Sequence, residues 1–221
     1  MATQSIKRDN LTVHVWSVGP FQENTYLIVN ENNVGTVIDP GFSQSQEENT
    51  FKDFVEKNNI VLDSIVNTHC HIDHILGNDY CIRQWGLPLY YHLLEESNIE
   101  RSIQMSQVWG IPYTPSPKAN QYIDENSDVL LANQTVETWL VPGHCKGHLA
   151  FIHHESKSIF SGDVLFRESI GRIDLPGGDG DEIEESIKRL YTLPDDYVIF
   201  SGHGPLTTIG HEKQFNPFVR G

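Results

Sequence analysis

Apolar and polar positions alternate through the first forty residues. The alternation predicts strands at 11–18 (LTVHVWSV), 25–30 (TYLIVN) and 35–41 (GTVIDPG), broken at Gly19-Pro20 and Asn32-Asn33. The spacing then changes. Phe51, Phe54 and Val55 recur at helical intervals in 47–58, and a strand at 62–69 follows. A helix at 73–85, a strand at 88–92 and a helix at 93–110 complete the first half. Residues 111–121 (IPYTPSPKANQ) hold three prolines and no periodicity, which predicts a loop. The second half repeats the order. It has strands within 128–143, a hairpin over 148–163, an amphipathic helix at 181–193 and a strand at 197–204. Each half thus runs strands, then helix, then strand, which predicts two sheets packed face to face with helices outside.

Composition is that of an ordinary globular chain: 221 residues, 38% hydrophobic and 20% charged, a length that suits one domain spanning 1–221. The formal net charge of −15 repels phosphate backbones and anionic membrane surfaces, so no nucleic-acid or membrane partner is expected. A local positive site is still compatible, because exposed charges are screened beyond about 8 Å. Three cysteines, Cys70, Cys81 and Cys145, suggest no disulfide framework and fit a reducing cytoplasm. The start, MATQSIKRDN, has no apolar secretory core, and no stretch reaches the roughly 18 apolar residues of a membrane span. Oligomeric state is not legible.

The densest chemistry lies at 67–77, NTHCHIDHILG, directly after a predicted strand. In extended backbone His69 and His71 share a face while Cys70 points away. A helix starting near Asp73 puts Asp73 and His74 in its first turn. Four candidate ligands then converge from one short loop. Imidazole and carboxylate suit zinc, and also iron or manganese.

His-x-His-x-Asp-His at 69–74 resembles the signature of the metallo-β-lactamase superfamily. Further motifs similar to that superfamily's follow in order: VIDPG at 37–41 with Asp39, PGH at 142–144 with His144, SGD at 161–163 with Asp163 and SGHG at 201–204 with His203. The resemblance spans nearly the whole chain. It implies a four-layer αββα sandwich with two divalent metal ions, zinc first among them, at the edge of the two sheets. His69, His71 and His144 would hold one ion, and Asp73, His74 and His203 the other. Asp163 would bridge them, and Asp39 would support the site from behind the ligands.

Two such ions about 3.5–4 Å apart share a water and lower its pKa towards 7. Counting formal charges, two cations outweigh Asp73, Asp163 and a hydroxide, so the centre can stabilise an oxyanion. Asp73 can orient the hydroxide by accepting its hydrogen bond. No general acid is evident beyond the ligands, which suits a thioester, whose thiolate leaves unaided.

The stretch GDVLF followed by SIGR (162–172) resembles the glyoxalase II branch, and SIGRIDLPGGD with the ending GHGPLTTIGHEKQFNPF looks like the compact bacterial type II glyoxalases. That likeness implies hydrolysis of a small acyl thioester, S-lactoylglutathione or a related lactoyl thioester. It also implies no added C-terminal helical substrate domain. Arg172 would either grip the carboxylate of the thiol carrier or pair with Asp174. LPGGD at 175–179 reads as a tight turn. Tyr90, Tyr91, Trp109 and Tyr113 are candidates for a cleft wall or for packing. His148 and the other histidines outside the motifs read as hydrogen-bonded or exposed, and Cys145 as a small buried thiol.

The alternative is a mono-iron persulfide dioxygenase of the same fold, whose sequences also carry THCHxDH and Gly-Arg-x-Asp. There His69, His144 and Asp163 would matter more than His71. A β-lactamase is disfavoured by Asp163, where zinc β-lactamases usually place a cysteine. A tRNA-processing nuclease is disfavoured by the acidic balance. A scaffold with a vestigial site would have lost ligands, yet all seven positions are filled.

Overall fold

The computed structural model describes residues 4–221. Its first sheet orders seven strands in sequence: β1 (Gln4–Arg8), β2 (Leu11–Val18), β3 (Glu23–Asn30), β4 (Val34–Ile38), β5 (Val61–Val66), β6 (Leu89–Tyr91) and β7 (Gln121–Tyr122). The first four pair antiparallel and the last four parallel. The crossovers are α1 (Ser45–Lys57) between β4 and β5, and α2 (Ile72–Ile75) with α3 (Asn78–Trp85) between β5 and β6. A 3₁₀ turn (Leu93–Glu95) and α4 (Glu96–Trp109) precede β7.

The second sheet contains β8 (Val129–Leu131), β9 (Gln134–Leu140), β10 (Leu149–His153), β11 (Ser158–Gly162), β14 (Val198–Ser201) and β15 (Thr207–Thr208). Only β11 and β14 run parallel, with α5 (Gly180–Leu190) between them. A small hairpin, β12 (Leu165–Phe166) with β13 (Ser169–Ile170), follows β11, and α6 (Ile209–Phe215) follows β15.

Period-two alternation builds the layers. On β3, Tyr26 and Ile28 face a core shared with Phe151, Phe160 and Phe200 of the second sheet. Leu27 and Val29 face the opposite way, onto Phe51 and Val55 of α1. On the outer face of the second sheet, Ile152, Ile159 and Ile199 meet Ile183, Ile187 and Leu190, spaced every three or four residues along α5. Asp179 caps that helix by accepting from the amides of Asp181 and Glu182. The four-layer αββα sandwich is therefore the fold, as expected.

The differences from the sequence reading are local. The helix expected over 73–85 is two pieces, because Gly77 draws the chain aside and bonds its amide to Pro40 O at 2.7 Å. The span 128–143 is a hairpin whose two turn residues, Ala132 and Asn133, both take positive φ, the twist a two-residue connection needs. Strand β1 and helix α6 are too short and too polar for a periodic signal. Residues 175–179 form a turn, closed by the Gly178 amide on Leu175 O at 2.8 Å.

Candidate metal centre

Strands β4, β5, β9, β11 and β14 all release their loops at one edge of the sandwich, the carboxyl end where α/β sheets carry their sites. The loops are stitched together there. The Leu149 amide donates to Thr68 O at 2.8 Å, and the Asn24 amide donates to Gly202 O at 2.7 Å, so each sheet grips the other's loop.

Three groups of potential ligand atoms result, each within 4.8 Å: His69, His71 and His144; Asp73, His74 and His203; and Asp39 with His69 and His74. The first two are the triads expected from the sequence. Asp163 lies between them. Its Oδ2 is 3.7 Å from His144 Nε2 and 3.5 Å from His203 Nε2, and its Oδ1 is 3.4 Å from His74 Nε2. Asp73 Oδ2 is 3.2 Å from His203 Nε2. All seven residues predicted from the sequence are brought together. Gly202 is needed for this approach, since a Cβ there would fall 2.1 Å from Asp163 Oδ1.

The imidazoles are oriented from behind. His203 Nδ1 bonds Phe21 O at 3.1 Å, His144 Nδ1 bonds Arg172 O at 2.8 Å, and His74 Nδ1 bonds Asp39 Oδ2 at 3.1 Å. Each bond turns Nε2 towards the cluster, where His144 Nε2 stands 2.8 Å from His71 Nδ1. Asp39 also accepts from the Thr68 amide at 2.7 Å and hydroxyl at 2.6 Å. It takes φ +48°, an uncommon conformation for a residue other than glycine, held by these bonds.

The cluster fits a cation. His69 Nε2, His74 Nε2 and Asp163 Oδ1 are buried and have no hydrogen-bond partner among the described residues. Buried polar atoms are rarely left so, and cations held by the two triads would satisfy them, His69 in one, His74 in the other and Asp163 between. Burial pushes the His69 ring well below its usual range, and burial with the neighbouring His144 takes His71 down to about 3, so both are neutral imidazoles. Burial works against ionising Asp163, but His74 outweighs it and holds the carboxylate far below its ordinary value. Burial, then the Glu95 carboxylate, keep Cys145 a thiol.

A cleft of about 690 Å³ opens over Asp73, His144, Asp163 and His203. Apolar side chains, among them Met105, Trp109 and Phe166, form its walls. Of the four aromatic candidates only Trp109 lines it. Tyr91 and Tyr113 pack against the outer core and Tyr90 against the inner one. Arg172 reaches the cleft, but its guanidinium is forked onto Asp174 by two bonds of 2.7 Å.

Sequence reasoning passed over three buried residues. His148 stacks on His69, with ring centroids 4.6 Å apart, and accepts from the Asp163 amide at 3.0 Å. Glu23 pairs its backbone with His203, and burial raises its carboxyl well above the usual range. Glu95 is fully buried beneath the first triad. None sits in a ligand motif, and only the histidine's closeness to PGH gave a signal.

The sequence profile of the Metallo-beta-lactamase superfamily matches residues 18–203. The chain belongs to that superfamily. Hydroxyacylglutathione hydrolase GloC of Haemophilus influenzae is 34% identical over 95% of this chain and 98% of its own. The probable metallo-hydrolase YqgX of Bacillus subtilis is 32% identical over 92% and 95%. Among solved structures, BLEG-1 B3 metallo-beta-lactamase matches with a TM-score of 0.86 and 32% identity over 94% of this chain and 99% of that one. TTHA1623 in a di-iron-bound form matches at 0.84 and 34% identity over 93% and 99%. This superfamily member is thus a metallo-hydrolase by kinship, with a His/Asp cluster suited to divalent metal.

Proposed function

We propose that the chain is a dinuclear metal-dependent hydrolase of small acyl thioesters, with S-lactoylglutathione or a related lactoyl thioester as substrate. The observation that carries this reading is the Asp163 carboxylate, within 3.7 Å of a histidine of one triad and 3.5 Å of a histidine of the other. A bridge of that kind serves two ions rather than one. The GloC relative supports the thioester.

His69, His71 and His144 would hold one ion, Asp73, His74 and His203 the other, with zinc first in expectation and iron or manganese admitted by the same donors. Bound there, a divalent pair supplies Lewis acidity and ionises water at neutral pH. Asp73, beside His203 at the cleft floor, accepts a hydrogen bond from the attacking water and aims it at the carbonyl carbon. The new C–O bond forms, the C–S bond breaks, and the thiolate leaves with the pair of electrons; solvent protonates it. The apolar walls exclude competing water from the acyl group. Arg172 would receive the carrier's carboxylate. Its fork with Asp174 is solvent-exposed and weak, so a substrate carboxylate can replace it. The acidic surface and the reduced cysteines fit a cytoplasmic enzyme with a small-molecule partner.

The likeness to BLEG-1 favours a second reading, a β-lactamase. The persulfide dioxygenase has weaker support: ETHE1 from Myxococcus xanthus, at 21% identity, shares the fold alone. Purified protein tested for its metal content and for thiol release from S-lactoylglutathione decides among them. Two ions and thiol release are expected. Hydrolysis of a cephalosporin without thiol release selects the β-lactamase. One iron and dioxygen uptake with glutathione persulfide selects the dioxygenase.

A further inference from the structure

Glu95 is a carboxylate with no solvent exposure, at the end of the 3₁₀ turn before α4. Its Oε2 accepts from the Cys70 amide at 2.8 Å and from Asn98 Nδ2 at 2.8 Å. Its Oε1 accepts from the Gly147 amide at 2.9 Å. The two amides belong to different loops. Cys70 lies between His69 and His71, and Gly147 lies three residues beyond His144. One side chain therefore ties the two loops that carry the whole first triad, across 25 residues on one side and 52 on the other.

Two features show that the clasp is built for this carboxylate. A Cβ at position 147 would stand 2.8 Å from Glu95 Oε1, so the loop comes this close only because residue 147 is glycine. The N–H donors to Glu95 are all neutral, the Cys145 thiol stands against it as well, and Glu95 forms no ion pair among the described residues. A buried carboxylate in that setting is costly to keep unless its bonds are all made, which makes the arrangement sensitive to any change of donor geometry.

Glu95 touches nothing of the second triad. Asp39 supports that half directly, bonded to His74, and reaches the first triad only indirectly, through the Thr68 hydroxyl 3.1 Å from His69 Nδ1.

We infer that Glu95 is a positioning residue for the three-histidine half of the centre: by clasping the Cys70 and Gly147 amides it sets the separation of His69 and His71 from His144, and so the affinity of that half alone for its ion. This rests on the dinuclear reading above.

The test is titration of the chelator-stripped protein with Zn²⁺, followed by calorimetry. His71→Ala and His203→Ala assign the two binding steps to the two triads. In Glu95→Gln an amide N–H must face a backbone N–H donor, and the step that His71→Ala abolishes is expected to weaken about 10- to 100-fold. The step abolished by His203→Ala is expected to stay within threefold. Gly147→Ala, which crowds the same oxygen, should reproduce the selective loss if Glu95→Gln does not fold. Glu212→Gln removes another fully buried carboxylate, one bonded to the Glu168 amide at 2.9 Å and to the Thr207 hydroxyl but to nothing in the His69–His71 or His144 loops, and should leave the three-histidine step unchanged. Equal weakening of both steps by Glu95→Gln, or none, overturns the assignment. A wild-type chain that binds one ion sinks the dinuclear reading instead, and Glu95 then stands or falls by whether its variant weakens that ion when His71→Ala removes it.

Discussion

The two halves of the chain build the same centre in opposite ways. The first half supplies four of the seven donors within six positions, His69 to His74, from the end of β5 and the turn of α2. The second half supplies three, His144, Asp163 and His203, from the ends of three separate strands. A local cluster can be correct in geometry before the molecule is finished. A dispersed set is correct only when β9, β11 and β14 have taken their places in the second sheet. The comparison teaches where each half is vulnerable: the first in the carboxylates behind its loop, the second in the sheet contacts that bring its strands into line.

The hardest test of that division is Asp163→Ala. Asp163 is the second-half residue that meets histidines of both triads. Thioester hydrolysis is expected to fall about 10³-fold, comparable to losing a principal electrostatic contact of a transition state. Near-native circular dichroism is also expected, because the neighbours of Asp163 are loop residues. Activity within tenfold of wild type would show that the two triads are not joined through this side chain.

A smaller effect is expected from Asp39→Asn. Asparagine tolerates the positive φ at this position, so the backbone should survive. Its amide nitrogen cannot accept from both Thr68 and His74, and zinc affinity of the Asp73, His74 and His203 triad should fall about 10- to 100-fold. Loss confined to the other triad would mean that Asp39, rather than Glu95, supports the three histidines.

How much of this was legible follows the same division. The 69–74 cluster is readable because a strand feeding a helix turn converts sequence spacing directly into geometry. The later donors were found by their ordered motifs, since nothing in the spacing of 144, 163 and 203 tells that β11 and β14 lie parallel. Glu95 and His148 were not found. Each works through backbone amides, Cys70 and Gly147 for the one and Asp163 for the other, and a backbone partner leaves no residue signature. Helix α6 was missed for another reason. Its seven residues make less than two full turns, so no periodic stripe develops, and its docking rests on Ile209 in the outer core and the Glu212 bonds.

Arg172 separates binding from chemistry in the second half. Arg172→Ala is expected to raise KM for S-lactoylglutathione about tenfold, or about 1.4 kcal/mol, with kcat nearly unchanged. The selectivity has a structural basis: His144 is oriented by the backbone carbonyl of residue 172, which the substitution retains. An equal fall in kcat would mean that the side chain, not the carbonyl, serves the ligand.

The least effect, and the finest probe of the contact between halves, is expected from Glu23. It sits at the start of β3, bridges by backbone to His203, and accepts from the Thr25 hydroxyl at 2.8 Å. Burial raises its carboxyl well above the usual range, though His74 pulls the other way. The folded chain therefore keeps a proton that the unfolded chain releases near pH 4.5. In that window the folded state binds more protons than the unfolded one, so this group's contribution to stability is complete below the unfolded value and is lost as pH rises through the folded one. Glu23→Gln imitates the protonated side chain at every pH. In chelated protein it should unfold with a flatter pH dependence and be more stable than wild type by about 1 kcal/mol at neutral pH. Thermal unfolding from pH 5 to 8 reads the difference directly. A variant that is less stable throughout that range would mean that Glu23 is ionised at the seam, compensated by the His74 ring 3.8 Å away.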